Sequence, residues 1–368
     1  MTRPEAVSGL SLSGSWQRQG RMRDELGRLK LDAALVTHPR HVHYLTGYWC
    51  RPVFAPHAWI ERDGPTVLIA PLDVEPADVA TDEVVVYESN RRGTLVDHQA
   101  AVAAQAIRER LSRVRRLGVD GPAPPWIDRP TGRCDLSDVF LTLRRKKDED
   151  EVGLIRTAIA AAEAAYARAR EILSPGVTEV ELFAQMQAAA VARAGEGIGE
   201  FGNDFQIGAL GSAPRPRAAR SGEVAILDVA VVVRGYAGDL CRSLVVGGRP
   251  SESQLQAQRR ILEVLANVEE QARPGASCRK LHDDATDMLD GHCGWAFKHH
   301  LGHGIGMCNH EAPRLNTQWD DTLRVGDVFA VEPGLYGDDL CAGIRIEQDY
   351  YLSPAGLVRL SSFPTDLT

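Results

Sequence analysis

The first half of the chain alternates between two spacings of apolar residues. Apolar residues recur every three or four positions over 21–29 and 97–113, a spacing that predicts amphipathic helices. Continuous apolar runs predict buried strands at 31–36, 67–71, 83–86 and 117–119. Strands that alternate with helices are typical of an α/β layer, which here spans roughly 130 residues.

A charged stretch interrupts this pattern before the middle of the chain. Residues 144–151 read Arg-Arg-Lys-Lys-Asp-Glu-Asp-Glu and lead into a helical pattern at 152–173 that ends at Ser174-Pro-Gly. The proline-rich segment 121–125 predicts a rigid turn upstream of it. Because 368 residues suffice for two domains, we expect domains of 1–146 and 147–368.

The second half combines further helices, predicted at 177–194 and 251–272, with pairs of strands. Strands are expected at 223–233 and 236–247, joined by a tight turn at Arg234-Gly235. Folding the chain back at that turn brings Asp228 and Asp239 nearly opposite each other. Two apposed aspartates repel each other unless a cation lies between them. Strands at 328–332 and 343–352 each carry a glutamate in the same way.

Five residues at strand ends and in a Gly-rich turn are of types that bind divalent cations. They are Asp228, Asp239, His303, Glu332 and Glu347. If they converge, four carboxylates share one partly buried pocket, where repulsion and desolvation both oppose ionisation. Cations remove that conflict, and four carboxylates with one imidazole suit two divalent ions.

Composition narrows the class of protein. Apolar residues make up 44% and charged residues 25%, which is typical of a soluble globular protein. The net charge of −8 argues against a nucleic-acid-binding surface. No signal peptide or membrane span is expected. The seven cysteines are scattered without a C-x-x-C pair, which favours a reducing, cytoplasmic location.

Six short blocks follow one another over about 120 residues: Ile226-Leu-Asp228, Asp239-Leu-Cys-Arg, His299-His-Leu-Gly-His303-Gly-Ile-Gly306, His310-Glu-Ala-Pro313, Val331-Glu-Pro-Gly334 and Gly343-Ile-Arg-Ile-Glu347. In content and order they resemble the motifs of the M24 metallopeptidases, which have the pita-bread fold, and in particular those of Xaa-Pro aminopeptidases and prolidases. Residues 31–39 and 42–47 resemble the creatinase-type domain that precedes the catalytic domain. The resemblance implies an α/β (α+β) protein, with a creatinase-like domain followed by a pita-bread domain.

The resemblance also implies roles for the metal-binding residues. Asp228 would chelate one of two divalent ions, Asp239 and Glu347 would bridge both, and His303 and Glu332 would complete separate ions. Glu332 would also act as general base and proton shuttle. Mn, Fe, Co and Zn remain open as the metal, because this oxygen-rich set suits several ions.

On the substrate side, the resemblance suggests His310 as a contact of the substrate carbonyl and His299 as a pocket-lining histidine. Arg345 would hold a carboxylate, either the substrate's or that of Glu347. The N-terminal domain of such proteins commonly reaches a partner's active site, so a homodimer is expected. Its aromatic segment 44–59, with His57 and Trp59, is either a substrate contact or core and interface.

One family feature is missing. The family usually has a further histidine before the first aspartate, but this chain has none between His98 and His282. Arg217 falls near that position. Losing one oxyanion donor costs roughly 10²–10³ in rate. We therefore keep two functions open: an Xaa-Pro aminopeptidase or prolidase-like hydrolase of an amide or imide C–N bond in a short peptide, and a non-peptidase hydrolase or lyase of a small metabolite. A binding protein on the same scaffold is disfavoured, because all five ligands are retained.

Overall fold

The structure is a computed structural model that describes residues 9–72, 74–121, 132–202, 204–291 and 293–368. The described residues form two compact units, Gly9–Arg144 and Arg145–Thr368. Both mix helices with strands, as the sequence predicted. The domain limits of 1–146 and 147–368 stay a prediction. The proposed turn at 121–125 lies, apart from Gly121, outside the described residues.

The N-terminal unit is built around one mixed six-stranded sheet. Its strands run in the order β4-β3-β2-β1-β7-β8, in which β1 is antiparallel to β2 and parallel to β7. Its elements are α1 (Leu12–Arg28), β1 (Ala33–Val36), α2 (Pro39–Thr46), β2 (His57–Glu61), β3 (Thr66–Ala70), β4 (Glu83–Val86), β5 (Asn90–Arg91), β6 (Thr94–Leu95), α3 (Gln99–Gln105), α4 (Arg108–Arg113), β7 (Arg116–Val119), β8 (Gly132–Asp135) and α5 (Ser137–Arg145).

Two helices of this unit differ from the prediction. The helix predicted at 21–29 begins at Leu12, where Ser11 Oγ accepts a hydrogen bond from Gly14 N at 3.0 Å. Its early turns bury polar side chains such as Arg18, whose Nε donates to Tyr44 O at 2.6 Å. The spacing of apolar residues cannot predict helical turns whose buried side chains are polar. The helix predicted at 97–113 is divided into α3 and α4 by a turn at Ala106 and Ile107, where Ile107 departs from helical geometry.

The C-terminal unit holds three sheets and four long helices within its described residues. The sheets are the pair β10-β9, the five-stranded β12-β11-β13-β16-β17 and the pair β14-β15. The elements are α6 (Glu149–Ile172), α7 (Glu179–Ala194), β9 (Val224–Val233), β10 (Tyr236–Val245), α8 (Glu252–Gln271), α9 (Cys278–Leu289), β11 (Gly302–Gly304), β12 (Glu311–Leu315), β13 (Val328–Val331), β14 (Gly334–Gly337), β15 (Ala342–Arg345), β16 (Gln348–Ser353) and β17 (Gly356–Arg359).

The predicted helices and hairpin of this unit are confirmed at nearly the expected bounds. Thr178 and Glu181 form a reciprocal pair at the start of α7: Thr178 N donates to Glu181 Oε2 at 2.9 Å, and Glu181 N to Thr178 Oγ1 at 3.2 Å. Arg234 and Gly235 both have positive φ, the conformation of a two-residue turn that matches the twist of its strands. Helices α8 and α9 pack against one apolar core with the strands below them.

Among the helices that the structure describes, none is long and apolar enough to span a bilayer.

Gly238 in β10 lies against the backbone of α6. A Cβ at this position would be 2.6 Å from Ile159 N and 3.0 Å from Ala158 C. Because these are backbone atoms, we expect Gly238→Ala to destabilise the fold by about 1–3 kcal/mol. Gly153→Ala is the matched control: Gly153 is also in α6 and has open space at its Cβ. It should gain up to about 1 kcal/mol. Urea denaturation midpoints measure both changes; equal shifts would contradict this packing.

Candidate metal centre

The hairpin of β9 and β10 brings the first two acidic residues together. Asp228 pairs with Cys241 and Asp239 pairs with Ala230, so the two aspartates are offset diagonally by two residues. Residues at such positions share one face of the hairpin. Tyr166 of α6 fixes this part of the hairpin, since its hydroxyl lies 2.8 Å from Leu227 O and 2.5 Å from Leu240 O. The two aspartates were expected nearly opposite each other, and they occupy the diagonal positions of the hairpin.

The five-stranded sheet supplies His303 and Glu332. His303 is the middle residue of β11, and Glu332 follows β13 directly. A Cβ on Gly302 would be 2.0 Å from Ala330 O, so glycine allows β11 and β13 to approach closely. His303 Nε2 lies 3.4 Å from Glu332 Oε1 and 3.9 Å from Asp239 Oδ2.

Glu347 reaches the same place from a break between two strands. The sequence predicted one strand over 343–352, which is wrong: β15 pairs with β14, whereas β16 pairs with β13 and β17. Between them, Glu347 N donates to Cys241 O at 3.0 Å. The chain therefore crosses from one sheet to another at Glu347, which points the carboxylate toward the hairpin acids.

All five predicted residues converge. Each is buried, with an exposed fraction from 1% at Glu347 to 8% at Asp228. These residues form two groups, and within each group the potential ligand atoms lie within 4.8 Å of one another. One group is Asp239, His303 and Glu347, and the other is Asp228, Glu332 and Glu347. Glu347 belongs to both groups, so two sets of donors share one carboxylate.

The acids of the centre do not share one charge state. Burial, together with the charges of Asp228 and Glu332, raises the pKa of Asp239 well above its usual range. Burial and the charge of Asp239 raise the pKa of Glu347 in the same way. Burial also opposes ionisation of Glu332, but hydrogen bonds from His300 and His303 outweigh it and hold its pKa well below the ordinary value.

Several oxygens here have no protein partner. Asp239 Oδ1, Glu347 Oε2 and Asp349 Oδ1 are buried and accept no hydrogen bond from any described residue. Leaving buried polar atoms unsatisfied is costly, unless another group meets them. Carboxylates with one imidazole are suitable donors for divalent transition metals. The residues therefore fit a divalent cation, which Asp228, Asp239, His303, Glu332 and Glu347 could hold.

Three histidines next to the centre make different contacts. His310 stacks on His303 with ring centroids 3.7 Å apart, and burial plus the charges of His303 and His300 lower its pKa to about 4. His299 turns to Tyr336, with Nε2 2.7 Å from the hydroxyl oxygen. His300 is the one that contacts the acids, with Nε2 2.7 Å from Glu332 Oε1. His299 was expected to line the pocket; the contact with Glu332 is made by the next residue, His300.

Arg345 holds a carboxylate of the centre. One terminal nitrogen lies 2.8 Å from Asp228 Oδ2 and 2.7 Å from Asp204 Oδ2. Arg345 was expected to hold a carboxylate of the substrate or of Glu347. It is paired instead with Asp228 and with Asp204, a partner that the sequence did not indicate. These contacts fix the orientation of Asp228 and lessen the repulsion that it exerts.

Asp349 is a fifth buried acid that the sequence argument missed. Its Oδ2 accepts a hydrogen bond from Asp239 N at 3.0 Å, and burial raises its pKa well above the usual range. It follows Arg345 and Glu347 at a spacing of two, and that alternation was the available signal. Because the strand is interrupted at Glu347, this alternation alone did not show that Asp349 lies on the side of the acids.

Three predicted substrate contacts are engaged elsewhere. Arg217 forms an ion pair with Glu223 and donates to Ile207 O at 3.2 Å, so its charge is already neutralised. His57 and Trp59 lie in β2 with no exposed surface. Their ring nitrogens lie 3.2 Å from Ala100 O and 3.0 Å from Glu61 Oε1, respectively. In their own unit both are core residues, because a side chain without accessible surface offers none to a substrate.

Comparison with known proteins gives the same arrangement of domains. The model of metallopeptidase family M24 matches residues 153–354, and that of the creatinase/prolidase N-terminal domain matches residues 18–126. An uncharacterized peptidase of Staphylococcus aureus strain USA300 is 28% identical over 356 residues, which cover 92% of this chain and 97% of that protein.

Two solved structures have the same fold. The prolidase from Pyrococcus horikoshii OT3 is 23% identical with a TM-score of 0.77, over 96% of this chain and 100% of that one. Aminopeptidase P from E. coli is 18% identical with a TM-score of 0.78, over 98% of this chain and 97% of that one.

Removing one acid tests the metal assignment. Asp239 forms one group of potential ligands with His303 and Glu347. Asp239→Ala should therefore weaken Mn²⁺ binding more than about 100-fold, which exceeds the effect of losing a residue that only contacts a ligand. Asp320→Ala is the control, since that side chain is 90% exposed. Titration calorimetry and metal analysis of the purified variants measure the difference. Undiminished binding by Asp239→Ala would remove the metal assignment.

Metal binding should depend on pH. Raised pKa values keep protons on Asp239 and Glu347 where an ordinary carboxyl is ionised. A cation must displace these protons, so the apparent affinity should rise with pH and level off above the raised pKa values. Calorimetry in two buffers of different ionisation enthalpy should detect proton release. An affinity that stays constant between about pH 5 and 8 would contradict this charge distribution.

Proposed function

The chain belongs to metallopeptidase family M24, and on that premise we propose that this metal-dependent hydrolase uses two divalent ions to cleave an amide or imide C–N bond in a short peptide. The proposed activity is similar to that of Xaa-Pro aminopeptidases and prolidases. Mn, Fe, Co and Zn all suit the donor set, and the ion that is available decides among them.

One observation carries the proposal for two ions. Two groups of donors, Asp239 with His303 and Asp228 with Glu332, share Glu347. A shared carboxylate supports two neighbouring cations, because each group brings three donors together and Glu347 has one oxygen for each ion. When bound, such ions polarise a carbonyl and make water more acidic.

The protein's own groups would then position the substrate and move protons. Glu332 is ionised through its contacts with His300 and His303, so it can accept a proton and return it to the leaving nitrogen. His310 has a pKa near 4 and is neutral at pH 7, where a ring N–H can donate to a substrate carbonyl. His299 and Tyr336 form the neighbouring wall.

A second function is supported by the altered loop before β9. It lacks the histidine that the family usually has, and Arg217 does not stand in for it because Glu223 already holds its charge. A site with fewer hydrogen-bond donors for a peptide carbonyl suits a different substrate. The alternative is therefore a non-peptidase M24 relative, a hydrolase or lyase that acts on a small metabolite.

The cellular setting is proposed on sequence grounds. Scattered cysteines support a cytoplasmic location, and all of those in the described residues are free thiols. A homodimer rests on the family resemblance alone, and light scattering on the purified protein tests it.

A substrate panel with metal analysis separates the two functions. Two equivalents of metal with turnover of Xaa-Pro dipeptides would support the peptidase. Bound metal without Xaa-Pro cleavage, but with turnover of an N-acyl or cyclic amide, would support the alternative.

Glu332→Gln should lower kcat by at least about 100-fold, since proton transfer contributes that much. Arg217→Ala should change kcat little, because Arg217 is paired with Glu223. A large decrease in kcat would show that Arg217 takes part in the reaction after all.

A further inference from the structure

Glu347, the carboxylate shared by the two groups of potential ligands, is held through its backbone by the hairpin. It belongs to neither β15 nor β16, so the sheets leave its backbone without a strand partner. Its N–H donates to Cys241 O at 3.0 Å, and its C=O accepts a hydrogen bond from Arg242 Nη1 at 2.6 Å. Both backbone polar groups of Glu347 are therefore bound to two consecutive residues of β10.

Arg242 is fully buried, and each of its guanidinium nitrogens donates to an oxygen atom. Nη1 also donates to Cys241 O at 2.9 Å, and Nε donates to Pro364 O at 2.9 Å. Nη2 donates to Phe363 O at 2.8 Å and to Gln348 Oε1 at 3.1 Å. None of these acceptors is a carboxylate. Because the donors of a guanidinium form a rigid, planar fork, Arg242 fixes its acceptors relative to one another.

Residues 361–367, here called the covering segment, lie over Arg242. The segment provides two of the backbone oxygens that bind the guanidinium, and it is itself attached to α6, where Glu163 Oε1 accepts a hydrogen bond from Phe363 N at 2.9 Å. Pro364 is exposed, whereas Arg242 has no exposed surface. The covering segment therefore separates the guanidinium from water and keeps its hydrogen bonds directed at protein atoms.

The covering segment also contacts the strand that follows Glu347. Ser361 Oγ accepts a hydrogen bond from Asp349 N at 3.3 Å, and Asp349 Oδ2 accepts one from Asp239 N at 3.0 Å. The segment is thus connected to Glu347 through Arg242, and to Asp239 through Asp349. Its own residues lie outside both groups of potential ligands.

We propose that Arg242 is a positioning residue for Glu347 and that the covering segment holds Arg242 in place, so that this segment controls metal affinity without contacting the metal. The inference rests on the proposed metal centre and identifies what supports its shared carboxylate. Arg345 binds the carboxylate of Asp228 directly, whereas Arg242 acts on Glu347 through the backbone. Contacts that orient a ligand in this way typically change metal affinity by about 10–100-fold.

Removing the guanidinium tests this role. Arg242→Met, which keeps an extended side chain but no N–H donor, should weaken Mn²⁺ binding about 10–100-fold. Arg242→Lys retains a donor and the charge, and should recover part of that loss. Arg18→Met is the matched control, because Arg18 is also fully buried and its Nε also donates to a backbone oxygen, Tyr44 O, at 2.6 Å. Calorimetric titration with Mn²⁺ measures affinity, and urea denaturation measures stability. If Arg242→Met lowers stability but binds Mn²⁺ as tightly as Arg18→Met, the proposal is wrong.

A milder variant tests the covering segment and does not depend on the folding of Arg242→Met. Glu163→Ala removes an acceptor that attaches the segment to α6, and should weaken Mn²⁺ binding by a smaller factor than Arg242→Met. Glu171→Ala is the control on the same helix, because Glu171 pairs with the surface residue Arg168. Equal Mn²⁺ affinities of Glu163→Ala and Glu171→Ala would overturn the role of the segment.

EPR spectra of the Mn²⁺-loaded proteins separate this inference from the proposed function. The wild type should show a magnetically coupled pair of ions, and Arg242→Met should show a larger share of isolated ions, because both groups of ligands need Glu347. If the wild type binds a single ion, the proposal of two ions fails, and the affinity of the variants for that ion still decides the role of Arg242. The same share of coupled ions in both proteins, at equal affinity, would contradict that role.

Discussion

The structure depends on one electrostatic conflict: several acidic side chains are buried side by side. Asp228, Asp239, Glu332 and Glu347 each expose less than a tenth of their surface. Arg345 neutralises Asp228, and the histidines hold Glu332 ionised. Asp239 and Glu347 keep raised pKa values, and each has a buried oxygen that no described residue meets with a hydrogen bond. Buried like charges persist only where a counter-charge is available. A divalent cation supplies that charge, and for this reason the same residues that would destabilise a metal-free protein define its chemistry.

The backbone keeps these acids together through close approaches that leave little freedom. The hairpin is clamped by Tyr166, and β11 touches β13 where only glycine fits at position 302. The chain passes between two sheets at Glu347, where its amide binds the hairpin. The ligands are therefore held by three parts of the unit, namely the hairpin, the five-stranded sheet and the crossing at Glu347, and a shift of one part would change the distances at the centre. Rigid support of this kind is what a metal site requires.

The side of the site that faces the substrate differs in character from the metal side. Its polar groups lie on loops and turns: the loop before β9 has no histidine, Arg217 in that loop is paired with Glu223, and the turn at Cys341 and Ala342 has positive φ. Loops accept substitutions more readily than strands do, since fewer packed contacts constrain them. A common metal centre with different recognition loops explains how one fold can act on different substrates.

The amino-acid pattern alone was enough to predict most of the strongly periodic elements and the five residues that converge, because strand ends and glycine turns have local signals. It also indicated the turn at Arg234-Gly235, where positive φ favours such residues. Only the tertiary structure decided that His300, not His299, contacts Glu332, that Arg345 binds Asp204, and that Asp349 supports Asp239. Two adjacent histidines cannot be told apart in the sequence, because packing decides which side chain faces the acids. Contacts between segments that are far apart along the chain produce no periodic pattern in the sequence.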